Sequence, residues 1–115
     1  MSYRRWIGMG VALGLTLGLP ASTFPQGGAA ATAAIRVFQF QPGALEVRPG
    51  TRVTWTNQDD ITHTVTSGTA EQRDGRFELG LDGRGAAGAV KLDTPGTYPY
   101  FCSRHQSMRG EIRVK

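Results

Sequence analysis

The chain has 115 residues, 16 of them glycine and six proline, with one cysteine and a formal net charge of +4. That length fits a single domain. Arg4 and Arg5 supply two of the 13 basic residues, so only +2 remains from Ile35 onward, interleaved rather than clustered; this argues against a nucleic-acid-binding face, while the slight basic excess favours an acidic partner.

Met1 to Arg5 is a short basic start, and Trp6 to Leu19 is apolar and uncharged up to Pro20. A Gly/Ala/Ser/Thr-rich stretch continues to Ala34. Basic start, apolar run and small residues together describe an export signal, and the run is shorter than the ~20 residues of a membrane span. The Arg4-Arg5 pair is compatible with a twin-arginine route as well as with general secretion. Small-x-small sites place cleavage after Ala31 or Ala33; an uncleaved signal would instead leave a tethered domain on residues 26–34. We therefore expect residues 1–34 to be signal and linker and 35–115 to be the working domain, in the periplasm or on the extracellular face.

From Ile35 the pattern is that of strands. Ile35 to Phe40 alternates apolar and polar residues, as does Ala44 to Arg48 after Gln41-Pro42-Gly43. Period-two alternation marks half-buried strands. Pro49-Gly50 is a turn pair, followed by Thr51 to Asn57, with Val53 and Trp55 on one face among β-branched residues. Gln58-Asp59-Asp60 turns the chain into a short β-prone segment, Thr62 to Thr66, which ends at Ser67-Gly68. The stretch from Thr69 to Gly88 is polar and punctuated by glycine, so a loop with one short strand near Phe77 to Leu79 is expected there. Ala89 to Leu92 and Thr97 to Phe101 are strands separated by Pro95-Gly96. Pro99 lacks a backbone donor and requires a free or bulged side to its strand. Glu111 to Val114 closes the chain. Short strands with regular turns and no helical period indicate an all-β sandwich of about seven strands.

Between the last two strands lies the stretch that carries chemistry. Cys102, His105 and Met108 stand at intervals of three. Thiolate, imidazole and thioether form a soft-to-borderline donor set that suits copper, which takes two imidazoles and a thiolate in a plane with a weak axial thioether. The second imidazole has one source, His63. An exported protein with a single cysteine needs that thiol occupied, which a metal bond would do; a buried inert cysteine is the plainer alternative. With about 80 residues in the domain, a bound ion would also contribute to stability.

The run Trp55-Thr56-Asn57-Gln58-Asp59, His63-Thr64-Val65, Pro95-Gly96-Thr97-Tyr98, Tyr100, Cys102, His105, Met108, Gly110, Ile112 and Val114 resembles the cupredoxins, in particular the plastocyanin/amicyanin/pseudoazurin-like members with a short ligand loop. The likeness spans about Phe38 to the C-terminus. It implies a Greek-key β-sandwich with one type 1 (blue) copper, held in plane by His63, Cys102 and His105 and axially by Met108. The implied role is that of a one-electron carrier: no enzyme, no substrate, a monomer meeting a redox donor and a redox acceptor transiently. It also implies a ring edge of His105 near the surface within a small apolar patch, for which Met108, Pro99 and Pro42 are the candidates. Thr64 N–H is placed to donate to the cysteine sulfur, and the Thr64 and Ser103 hydroxyls are candidates to tie the two ligand segments together. Trp55, Phe101, Phe38, Phe40 and Phe77 are expected in the core.

Other chemistries fit less well. Zinc accepts Cys and His but rarely Met. A catalytic Cys-His pair needs an orienting third group that this loop does not offer, and a dinuclear copper centre needs a second cysteine. Copper carriage or storage uses the same donors and stays open beside electron transfer.

Overall fold

Nine strands run in chain order through residues 29–115, the part of the chain that the computed structural model describes. They are β1 (Ala30–Arg36), β2 (Gln39–Gln41), β3 (Ala44–Val47), β4 (Thr51–Asn57), β5 (His63–Gly68), β6 (Arg73–Leu81), β7 (Ala87–Leu92), β8 (Gly96–Phe101) and β9 (Arg109–Val114). Among the described residues there is no helix. One sheet has the order β2-β1-β4-β7 and the other β3-β9-β8-β5-β6. The chain crosses repeatedly between them, as a Greek-key sandwich does. Two pairings are parallel, β1 with β4 and β3 with β9; the rest are antiparallel.

The inner faces supply the core. Ile35, Val53, Trp55, Val65, Ile112 and Tyr100 are essentially inaccessible to solvent. In β1 and β4 the buried residues alternate with more exposed neighbours, the period-two pattern of a sheet packed on one face, whereas every residue of β5 is buried. Trp55 meets Tyr100 edge-on with centroids 5.3 Å apart, and Tyr100 meets Phe40 the same way at 4.8 Å, an arrangement that suits aromatic quadrupoles. Tyr100 leaves no room beside it: a Cβ on Gly110 would stand 2.3 Å from its Cζ.

Three expectations change. The strand expected from Ile35 to Phe40 is two strands, β1 and β2, joined by a two-residue turn at Val37-Phe38, with Arg36 paired to Gln39. Both turn residues have positive φ, 51° and 57°. That is the twist a tight hairpin requires, at a cost of about 1–2 kcal/mol for each non-glycine residue. Second, β1 begins at Ala30, so residues 30–34, expected as linker, pair in register with Arg52 to Thr56 of β4. Ala33 faces the core at 5% exposure. The rest of the expected signal lies outside the described residues. Third, the weakly patterned stretch after Thr69 carries the nine-residue β6, in register with β5 from His63↔Leu81 to Thr66↔Glu78. Phe77 and Leu79, half-buried, and the buried Leu81 face inward together. Pro99 behaves as its chemistry requires: the registered pairs of β8 with β5 stop at Ser67↔Tyr100, just short of it.

Candidate metal centre

The four sequence-predicted donors come from two places. His63 opens β5, while Cys102, His105 and Met108 occupy the loop between β8 and β9. That loop is closed by its own backbone: Cys102 N–H donates to the Met108 carbonyl at 3.1 Å, and Met108 N–H to the His105 carbonyl at 2.9 Å. Three-residue spacing therefore becomes a tight cup in which successive side chains converge. Cys102 and His63 are fully buried, Met108 is 2% exposed, and His105 is partly exposed.

The geometry brings three donors to one point. Cys102 Sγ lies 3.7 Å from His63 Nδ1 and 3.9 Å from His105 Nδ1. The donor atoms of His63, Cys102 and His105 all lie within 4.8 Å of one another. Donors bonded to one ion at about 2.0–2.3 Å must stand roughly 3–4.5 Å apart, so this triangle is of metal-binding size. Met108 belongs to the same buried cluster as Cys102. No carboxylate is among the donors; the set is one thiolate, two imidazoles and a thioether, which fits copper and disfavours hard cations.

Hydrogen bonds hold the two halves together. Thr64 N–H points at Cys102 Sγ from 3.4 Å, within the longer range of bonds to sulfur. Ser103 N–H donates to Thr64 Oγ1 at 2.8 Å, and the Ser103 and Thr64 hydroxyls are 3.0 Å apart. Thr66 Oγ1 extends this chain at 2.9 Å. The hydroxyl tie expected between Thr64 and Ser103 is thus present, and it pins the residues following His63 and Cys102 to each other.

Several neighbours have a role at the site that the sequence alone does not assign to them. Asp59 Oδ2 is 2.8 Å from His63 Nε2, and the Asp59 carboxylate also accepts from Val37 N–H at 2.8 Å and Phe38 N–H at 3.0 Å. Burial opposes ionisation of Asp59, but those backbone donors and His63 outweigh it and hold its pKa below the ordinary carboxylate value. Phe38, expected in the core, is 49% exposed and stands edge-on to both imidazoles, 5.5 Å from the His63 centroid and 5.0 Å from that of His105. Val37 beside it is 69% exposed. Among the described residues the exposed large apolar side chains are Val37, Phe38 and Ile61. Buried Met108, a candidate for the surface patch, faces inward instead. The supporting frame is Asn57, fully buried, whose side-chain amide donates to the carbonyls of Ile61 and Leu81 while its Oδ1 accepts from Asp59 N–H.

The sequence of residues 28–115 matches the model of the copper-binding proteins of the plastocyanin/azurin family. The chain belongs to that family. It is 32% identical over 83 residues to amicyanin-alpha of Methylorubrum extorquens, covering 70% of this chain and 68% of the relative. It is 33% identical over 84 residues to a plastocyanin of Scenedesmus fuscus, covering 66% and 86%. Among solved structures, a purple cupredoxin from Nitrosopumilus maritimus superposes with a TM-score of 0.68 at 27% identity, over 74% of this chain and 99% of that one. This cupredoxin therefore carries His63, Cys102, His105 and Met108 positioned to bind a single copper.

Proposed function

We propose that this cupredoxin is an exported one-electron carrier in which His63 Nδ1, Cys102 Sγ and His105 Nδ1 hold one copper and the Met108 thioether is the weak fourth donor. The observation that carries the reading is the convergence of those three donor atoms within 4.8 Å on a rigid, mostly buried frame. Bound copper supplies reversible one-electron chemistry between Cu(I) and Cu(II).

The residues of the chain do the rest. The fold fixes His63 against the ligand loop through the Thr64–Ser103 tie, so the donors have little freedom to rearrange with oxidation state. Burial of Cys102 and His63 excludes water from the thiolate side. The partly exposed His105 is the shortest way out, and the exposed Phe38 ring, edge-on to it at 5.0 Å, gives that exit an apolar surface. Such a surface suits brief docking of a redox donor and then an acceptor, because apolar contact without a large buried area gives fast dissociation. No substrate and no enzymatic step enter this reading.

Export accounts for the N-terminal pattern of basic, apolar and small residues. Since β1 starts at Ala30, cleavage after Ala31 or Ala33 would cut a paired strand. A signal peptidase acting at or before Ala29 would leave β1 whole, and the mass of the mature protein tests that directly.

Cyclic voltammetry separates the carrier from a copper-delivery protein. A carrier cycles reversibly and keeps its copper in the presence of a Cu(I) chelator of moderate affinity. Rapid loss of the ion to that chelator in both oxidation states would contradict the proposal.

A further inference from the structure

Among the described residues Asp59 is the one acidic side chain bonded to a ligand of the centre, and it acts there at two levels. Its Oδ2 meets His63 Nε2 at 2.8 Å and Phe38 N–H at 3.0 Å; its Oδ1 meets Val37 N–H at 2.8 Å. A carboxylate accepts and does not donate, so His63 must carry its proton on Nε2. The Nδ1 lone pair then faces Cys102 Sγ, 3.7 Å away, and the inside of the cup. The backbone bonds act elsewhere. Val37 and Phe38 have positive φ in a turn with no Asn or Gly to favour it, and Asp59 lies 22 residues from Val37 and 21 from Phe38 in sequence. Strained backbone of this kind persists where the surroundings over-determine it, and such places cluster at functional sites. The turn, once held, stands the Phe38 ring edge-on against both imidazoles.

We infer that Asp59 is a positioning residue with two coupled tasks: it fixes the Nε2–H tautomer of His63, so that Nδ1 is presented as a ligand, and it clamps the Val37-Phe38 turn, so that Phe38 covers the His63–His105 pair. The first task rests on the reading of His63 as a metal ligand; the second does not. Asp59 itself is aimed by the Asn57 Oδ1 bond to its backbone N–H, 2.9 Å long. The ring tautomer of one ligand and the aromatic cover over both imidazoles thus depend on one carboxylate.

The test compares wild type with Asp59→Ala and Asp59→Asn in the full-length protein, metal-free and copper-loaded. In the metal-free protein, nitrogen NMR of the His63 ring reports the tautomer, and amide exchange at Val37 and Phe38 reports the turn. Wild type is expected to show Nε2 protonated and both amides protected. Asp59→Ala should mix the tautomers and speed exchange at both amides at least tenfold. Asparagine keeps one acceptor oxygen, so Asp59→Asn should retain the tautomer while freeing one of the two amides. Placing Val37→Asn and Phe38→Gly together makes the turn self-supporting. In that background Asp59→Ala should leave the Arg36–Gln39 pairing that closes the turn, read by exchange at Gln39 N–H, nearly unchanged and still disturb His63. An unmixed tautomer or fully protected amides in Asp59→Ala would overturn the coupled role, and a response of only one of them would do the same. In the copper-loaded protein, loss of the nearby negative charge should raise the reduction potential, a shift that a purely structural side chain would not produce; an unchanged potential would contradict the link to the ligand. Should wild type fail to bind copper at all, the carrier reading falls, while the metal-free measurements still decide the clamp.

Discussion

Each ligand side chain is held by a named partner, and those partners make separable predictions. Thr64 has two separate roles. Its backbone N–H faces Cys102 Sγ, while its hydroxyl accepts from Ser103 N–H. Thr64→Val keeps the first and deletes the second, leaving a part-buried donor without its acceptor. Such a loss costs about 1–3 kcal/mol, and outer partners of metal ligands typically change affinity about 10–100-fold. Chemical denaturation of the metal-free protein and competitive copper titration check the two figures independently. Met108 makes the opposite prediction, because its thioether is the weak donor. Met108→Leu should keep the visible colour and raise the potential. Loss of all copper would make Met108 an essential donor. In the core, Gly110→Ala drives a methyl into the buried ring of Tyr100, which has no space to retreat. A destabilisation of about 1–3 kcal/mol is expected, read from the denaturation midpoint.

At the scale of elements, the legible parts were those whose pattern is local. The strand from Thr51 to Asn57 showed itself through Val53 and Trp55, and its ends agree with β4 residue for residue. The ligand loop was legible because donors of distinct chemistry recur at a fixed step. What escaped depends on contacts distant in sequence. The Val37-Phe38 turn carries no glycine or asparagine; its support comes from Asp59, and nothing in residues 35–40 announces it. Phe38 reads as a core residue because it stands two residues from the buried Phe40, yet the reversal at Val37-Phe38 swings it out over the imidazoles. Residues 30–34 are Ala and Thr only, so their alternation is invisible to hydropathy although Ala33 is buried. In β6, glycines at 75 and 80 masked the two-residue spacing of Phe77, Leu79 and Leu81. The tested consequence concerns β1. A chain starting at Ile35 loses five of the six register pairs between β1 and β4, whereas one starting at Ala29 keeps them. The shorter chain should be less stable by at least about 1 kcal/mol, or roughly 4–8 °C for a domain of this size, by thermal unfolding of the metal-free forms. Equal midpoints would mean that the first five residues of β1 do not contribute to the sandwich.

At the scale of the molecule, charge is balanced by pairs, and acid removes that balance. Burial opposes ionisation of Asp74, but Ser67 and the Arg76 N–H lower its pKa; bonds from Arg84 and Arg109 lower those of Asp60 and Glu71, and Asp59 is lowered as described. A carboxyl whose folded pKa lies below its unfolded one binds fewer protons when folded. Its contribution is complete above the unfolded values, 3.8 for Asp and 4.5 for Glu, and is lost as the pH falls through the folded ones. The share of metal-free stability that these four carboxyls contribute should therefore be complete above about pH 5 and decline below about pH 4. Asp60 and Glu71 are exposed, so their share is small and screened by salt.

The central claim is a thiolate-bound copper, and one spectrum tests it. Cu(II) added to the metal-free full-length protein should produce an intense visible absorption at one ion per chain, absent from Cys102→Ser under the same conditions. A colourless wild type, or equal colour in Cys102→Ser, would contradict the assignment of Cys102, and with it the carrier function.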